Sequence, residues 1–184
     1  MSIRNSLKTL SLVTALTLAT PAFAATVMVG GAAMFPNKTI VDNAVNSADH
    51  TTLVAAVKAA GLVDTLEGPG PFTVFAPVNA AFSALPAGTV DMLLKPENKD
   101  TLVKILTYHV VPGRIGAADL KKEIKAGGGK ATLTTVQGET LTATMHGAAI
   151  MLTDRKGGTA MITISNVFQS NGVIHVVDSV LQPE

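Results

Sequence analysis

The stretch LTYHVVPG, residues 106–113, marks the point at which the pattern of this chain changes. Before it, apolar residues recur at helical spacing, and after it they alternate in short runs that glycines separate. The stretch also holds Tyr108, the only tyrosine of a chain that has no tryptophan. Helical segments followed by hairpin-length strands predict an α+β domain, in which this stretch joins the two parts.

The half that precedes this stretch predicts short helices around one strand. Thr39 can cap a first helix, with Asp42 in its first turn, where the helix dipole favours a negative charge. A second helix ends at Gly61, because a helix end favours a residue with positive φ. The run FTVFAP, residues 72–77, combines aromatic and β-branched residues and predicts a buried strand. Asn79 is placed to cap the short helix that follows.

The half that follows the stretch predicts mostly strands. After a short helix over 117–124, apolar residues recur in runs of hairpin length, and turn residues such as Gln137-Gly138 separate them. Such spacing is typical of an antiparallel sandwich or barrel. The predicted strands cover 131–136, 140–145, 148–153, 160–165 and 173–177.

The N-terminus predicts an export signal. Arg4 and Lys8 precede a short uncharged apolar run, and small residues around Ala24 form a signal-peptidase site. The apolar run is shorter than the roughly 20 residues that a membrane-spanning helix needs. The predicted organisation is therefore a signal peptide over 1–24, a loose leader over 25–37 and one domain over 38–184, in a protein that is periplasmic or extracellular.

Composition excludes several classes of protein. The 14 Lys and Arg residues nearly balance the 13 Asp and Glu residues, so no basic surplus indicates nucleic-acid binding. With 47% hydrophobic and 15% charged residues, the chain has the composition of an ordered domain. The absence of cysteine excludes disulfides, thiol nucleophiles and thiolate metal ligands.

The sequence motifs that could indicate metal binding, catalysis or binding of anions are weak. His50, His109, His146 and His175 form no i, i+4 pair, and no carboxylate lies at the spacing of a metal ligand, so no metal is expected. The chain contains no G-x-S-x-G nucleophile elbow, although serines near His175 and Asp178 leave a chance triad open. A local group of basic residues comprises Lys121, Lys122, Lys125 and Lys130. It could bind an anionic polysaccharide, but such a run is more often a solvated face.

Three segments together resemble the fasciclin-like domain family. They are FTVFAP at 72–77 with Asn79, YHVVPG at 108–113 and NGVIHVVDSVL at 171–181. The resemblance spans most of residues 38–183, and a single domain behind a signal peptide resembles the small exported bacterial members. It implies a wedge or sandwich of about seven strands with an N-terminal helical lobe, no enzymatic activity and no cofactor. Val78 departs from the family, which usually has a hydroxyl residue there.

The resemblance also implies a function in adhesion. Family members mediate attachment to cell surfaces, matrix or biofilm, so a surface protein or an extracellular matrix or polysaccharide component is the expected partner. Tyr108 and His109 are the implied binding residues. Their apolar neighbours leave a second interpretation open, in which the pair is a buried structural joint. The alternative function is a periplasmic carrier or sensor of a small apolar ligand, which would need an apolar pocket.

Overall fold

The computed structural model describes residues 26–184. The signal peptide predicted for 1–24 lies outside the described residues and stays a prediction. Over residues 26–184, none of the helices has both the length and the apolar character needed to cross a membrane.

The described helices are short. They are α1 (Ile40–Ala44), α2 (Thr51–Ala60), α3 (Val63–Glu67), α4 (Asn79–Ser83), α5 (Thr89–Leu93), α6 (Lys99–Tyr108) and α7 (Ala117–Ala126), with 3-10 turns at Ala48–His50 and Pro96–Asn98. The strands are β1 (Val27–Val29), β2 (Ala32–Met34), β3 (Phe72–Pro77), β4 (Val110–Pro112), β5 (Lys130–Thr134), β6 (Thr140–His146), β7 (Ala149–Thr153), β8 (Thr159–Gln169) and β9 (Gly172–Val177). The predicted α+β class is confirmed.

Seven strands form one mixed sheet in the order β4-β3-β9-β8-β7-β6-β5. Its strands pair antiparallel except β3 and β9, which are parallel. The sheet therefore differs at this pair from the antiparallel arrangement that the sequence predicts. Every residue of β9 is buried. A strand buried on both faces, as in parallel sheets, has a continuous apolar run instead of an alternating one.

The sheet curls until its two edge strands nearly meet. The N–H of Val136, just beyond β5, donates to the carbonyl of Val110 in β4 at 2.8 Å. The seven strands are thus close to a barrel, in agreement with the strand number that the family resemblance implies.

Each face of the sheet carries its own apolar core. The helix-side core joins Leu53, Val57 and Leu106 of the helices to Val74 and Ile174 of the sheet. The sheet-side core lies inside the curl, where α7 covers it; its members include Phe75, Tyr108, Leu120, Leu141 and Leu152. The stretch at 106–113 belongs to both cores.

The N-terminal segment forms a hairpin where the sequence predicts a loose leader. Strands β1 and β2 pair antiparallel, with Val27 opposite Met34 and Met28 opposite Ala33. Val29 and Met34 are buried in the helix-side core. Alternation along the two strands places these apolar side chains inward and leaves Met28 on the outer face.

Two predicted helix ends are confirmed. Thr39 Oγ1 accepts from the N–H of Asp42 at 3.1 Å, and Asp42 Oδ2 accepts from the N–H of Thr39 at 3.2 Å, which makes a capping box. Gly61 ends α2 with φ of 71°.

Asn79 caps a different helix from the one that the sequence predicts. Helix α4 begins at Asn79 itself, after Val78, and has no side-chain cap. The Asn79 Oδ1 instead accepts from the N–H of Thr52 at 3.0 Å, while its Nδ2 donates to the carbonyl of Ala48 at 2.9 Å. Asn79 therefore provides a hydrogen-bond partner for an N–H group at the start of α2 and connects this helix to the end of β3.

Candidate functional site at the joint between helices and sheet

Tyr108 ends α6 inside the sheet-side core. Its side chain is fully buried. The hydroxyl donates to the carbonyl of Thr140 at 2.9 Å and accepts from the N–H of Arg155 at 3.2 Å. Burial raises the pKa of the phenol, so it remains a neutral donor. The ring fills the core while the hydroxyl binds the start of β6 and the turn after β7.

His109 is equally buried and has both ring nitrogens bonded. The N–H of Leu181 donates to Nε2 at 3.0 Å, so Nε2 accepts and the proton lies on Nδ1. Nδ1 then donates to the carbonyl of Ile105 at 2.9 Å. The ring thereby fixes the C-terminal segment against α6.

Tyr108 and His109 thus form a joint between α6, the sheet and the C-terminal segment. Their relative exposures are 0% and 2%, so neither side chain can contact a partner without local opening. Direct binding through this pair stays a prediction. The second interpretation offered by the sequence, a buried structural joint, matches the observed contacts.

The buried histidine at 109 makes stability depend on pH. Burial lowers the pKa of His109 from its ordinary 6.5 to about 4. Between these values the unfolded chain binds a proton that the folded chain does not, so acid favours unfolding. We expect His109 alone to remove about 3 kcal/mol of unfolding free energy between pH 7 and 4, at about 1.4 kcal/mol per pKa unit. Denaturant unfolding at several pH values measures this.

A pair of variants isolates this contribution. His109→Gln should flatten the decline of the unfolding free energy between pH 6.5 and 4. His146→Gln, at the exposed end of β6, should leave that decline unchanged. If the unfolding free energy depends on pH equally steeply in the parent and in His109→Gln, His109 does not cause the decline. Burial also lowers the pKa values of His50 and His175, so part of the decline should remain in every variant.

His175 is held inside the core with both ring nitrogens close to backbone groups. It is 0% exposed and its ring stacks on Phe75 at a centroid distance of 5.7 Å. Nε2 donates to the carbonyl of Ile115 at 2.9 Å, and Nδ1 lies 3.4 Å from the N–H of Asn166. These bonds hold the ring and leave it without a free base for chemistry.

Asn171, the first residue of the third family segment, connects the helices to the sheet. Its Oδ1 accepts from the N–H of Ile40 at 3.0 Å. Its Nδ2 donates to the carbonyls of Leu66 at 2.7 Å and Gly68 at 3.0 Å. One buried amide therefore satisfies the start of α1 and the end of α3. The only local hint is a polar residue directly before the apolar run of β9.

The described residues offer no site for a metal ion made of three or more His, Asp or Glu side chains. A hydrogen-bonded serine–histidine pair does occur, since Ser47 Oγ lies 2.8 Å from His50 Nδ1. No carboxylate within residues 26–184 bonds the other nitrogen, so the pair lacks the orienting group of a triad. Asp178 bonds the N–H of Met161 and the hydroxyl of Ser179, away from any histidine bond.

The predicted basic group lies on a solvated face. Lys121, Lys122, Lys125 and Lys130 are exposed on α7 and at the start of β5. Lys122 lies 3.7 Å from the carboxylate of Asp119, one turn earlier. Such an exposed pair contributes little to stability.

Two apolar cavities adjoin the joint. The first, of about 80 Å³, lies between α2, α3 and the sheet, and Val57, Val74, Leu106 and Ile174 line it together with His50. The second, of about 110 Å³, lies on another side of α6. His109 lines both cavities. An apolar pocket of the kind that the alternative function needs is thus present.

Comparisons with known proteins place this fold. A family model described as "Fasciclin domain" matches residues 48–183. Protein sll1483 of Synechocystis sp. is 51% identical over 145 residues, which cover 79% of this chain and 73% of that protein. Cell surface glycolipoprotein MPB83 of Mycobacterium bovis is 39% identical over 122 residues, which cover 66% of this chain and 48% of that protein.

Among solved structures, one with the same fold illustrates the match. It is the FAS1 domain pair from the insect cell adhesion molecule fasciclin I, with a TM-score of 0.71 and 19% sequence identity. The match covers 79% of this chain and 51% of that chain.

Proposed function

The chain belongs to the fasciclin domain family, and from this premise we propose that it is an exported, non-enzymatic binding module. It attaches to a surface protein or to a matrix or polysaccharide component, at the cell surface or in the periplasm. The names of two similar proteins, a cell surface glycolipoprotein and a cell adhesion molecule, support this proposal. The observation that carries it is that Tyr108, His109, Asn171 and His175 all bond inside the fold. These residues serve folding, which leaves contact with a partner to the exposed surface.

The outer face of the N-terminal hairpin is the surface that we assign to contact. Met28 is 57% exposed and Phe35, directly after β2, is 47% exposed. Phe35 is fixed by Asn43 of α1, whose side chain bonds both its N–H and its carbonyl at 2.9 and 2.8 Å. Large apolar side chains held rigidly at the surface are typical of binding sites.

A deletion and an attachment assay test this function. A strain of the source organism that lacks the gene should attach less to its substratum, and expression of the parent protein should restore attachment. The double variant Met28→Ser, Phe35→Ser should fail to restore it, because the apolar contact area is lost. Thermal melting should show that this variant is folded.

Met92→Ser supplies the matched control. Met92 is 54% exposed on α5, away from the hairpin, so its replacement should leave attachment unchanged. Unchanged attachment in the deletion strain would refute the adhesion function. Restored attachment by the double variant would refute only the assignment of the hairpin face.

A further inference from the structure

Asn171 and Gly172 form the only Asn-Gly pair in the chain. An asparagine amide is chemically labile, and most so before glycine, which has no side chain to shield its backbone nitrogen. The Gly172 nitrogen attacks Asn171 Cγ, the bond from Cγ to Nδ2 breaks, and ammonia leaves with the proton of the Gly172 N–H. The product is a succinimide ring. Water opens this ring at Cγ to give aspartate, or at the backbone carbonyl carbon of residue 171 to give isoaspartate, so water is the only co-reactant.

The fold holds both polar atoms of the Asn171 amide in hydrogen bonds. Its Oδ1 accepts from the N–H of Ile40, and its Nδ2 donates to the carbonyls of Leu66 and Gly68. Asn171 is 6% exposed, and every residue of β9 from Gly172 onward is buried. Because the reaction expels Nδ2, both hydrogen bonds of this atom have to break. The amide is therefore protected as long as the end of α3 stays in place beside it.

Neither product fits the place of Asn171. Aspartate has a carboxylate oxygen where the amide has Nδ2, so the carbonyls of Leu66 and Gly68 lose a donor and face a negative charge. Isoaspartate lengthens the backbone by one methylene group directly before Gly172. The strand has no room for such a change, because Gly172 pairs with Phe72 and a Cβ added to Gly172 would collide with the Phe72 carbonyl oxygen. Either product therefore weakens the connection between the helices and the sheet.

We infer that Asn171-Gly172 is a site of spontaneous deamidation, which the folded structure suppresses and which unfolding permits. A chain that stays unfolded is modified at this pair and loses the contacts that it needs in order to refold, so its unfolding becomes irreversible. The state of residue 171 thus records how long a copy of the chain has been unfolded. This inference is independent of the proposed attachment function.

The experiment compares the full chain in its folded and unfolded states. Both samples are incubated at the same mildly alkaline pH, which favours loss of the proton from the Gly172 nitrogen, one in buffer and one in guanidinium chloride. Mass spectrometry of proteolytic peptides measures the fraction of Asn171 that has become aspartate or isoaspartate. We expect deamidation to be about a hundredfold or more slower in the folded chain, because opening of a core segment has to precede it.

Lys156→Asn supplies the matched control. Lys156 and Gly157 are both exposed in the turn between β7 and β8, so this variant places the same dipeptide where the fold cannot protect it. Position 156 should deamidate at a similar rate in buffer and in guanidinium chloride. The comparison separates protection by the fold from any effect of the denaturant on the reaction itself.

A refolding assay tests the consequence. After increasing times in guanidinium chloride, the denaturant is removed and the fraction of native protein is measured by circular dichroism. We expect this fraction to fall in step with the fraction deamidated at Asn171. Asn171→Gln, whose longer side chain disfavours the ring closure, should keep its own refolded fraction constant over the same times.

Several outcomes would overturn the inference. Equal rates at Asn171 in the folded and unfolded chains would show that its hydrogen bonds give no protection. Faster modification of other asparagines than of Asn171 in the unfolded chain would show that this pair is not the site. Deamidated chains that refold and unfold like the parent would show that the products fit. If Asn171→Gln does not fold, the rates and the refolding of the parent still decide.

Discussion

Replacing Tyr108 with alanine is expected to lower the free energy of unfolding by about 3–5 kcal/mol. The ring is fully buried in the sheet-side core, so its removal leaves a cavity that neighbouring strands cannot easily fill. The carbonyl of Thr140 and the N–H of Arg155 also lose their bonds to the hydroxyl. Denaturant unfolding of the parent and the variant measures the difference.

Tyr108→Phe separates the contribution of the ring from that of the hydroxyl group. It keeps the ring and removes only the hydroxyl, so we expect a loss of about 1–2 kcal/mol. The same variants distinguish the two interpretations of the pair at 108 and 109. If Tyr108→Ala unfolds like the parent but no longer supports attachment, the residue is a contact site and the joint interpretation is wrong.

Asn171→Ala is expected to lower the free energy of unfolding by a similar amount, about 3–5 kcal/mol. The change leaves the N–H of Ile40 and the carbonyls of Leu66 and Gly68 without their side-chain partner. Each unsatisfied buried group costs about 1–3 kcal/mol, less whatever water can restore. Because these groups lie at the start of α1 and at the end of α3, the helices should loosen before the sheet does. Amide hydrogen exchange of α1 and α3 measures this local effect.

Asn46→Ala is the control for this amide. Asn46 is exposed and its Nδ2 donates to the carbonyl of Asp42 at 2.7 Å, so water can replace it and the loss should stay within about 0.5 kcal/mol. Equal losses in the two variants would show that burial of the Asn171 amide has no particular energetic role.

Local patterns allowed much of this fold to be predicted from the sequence. Thr39 and Gly61 act within one helical turn of their own position, so capping rules identify them without knowledge of the tertiary structure. The alternation of apolar and polar residues places β5 and β6, each with one buried face. The family resemblance supplied the strand number and the helical lobe.

Contacts between distant residues could not be predicted in this way. Asn79 caps helix α2 from 27 residues away, because its Oδ1 accepts from the N–H of Thr52. Asn171 bonds Ile40 across 131 residues. Hydrogen-bonding partners of this kind depend on the tertiary arrangement, which periodicity does not encode.

The parallel pairing of β3 with β9 determines when this chain can fold. Phe72 pairs with Gly172, so the centre of the sheet joins segments that lie far apart in the chain. Closing so long a loop costs entropy before any contact compensates for it, and folds dominated by such pairings form slowly. The helix-side core includes Ile174 and Val176 of β9, so it is incomplete until this strand pairs with β3. We therefore expect the helical half to complete its core only after the C-terminal strand has joined the sheet.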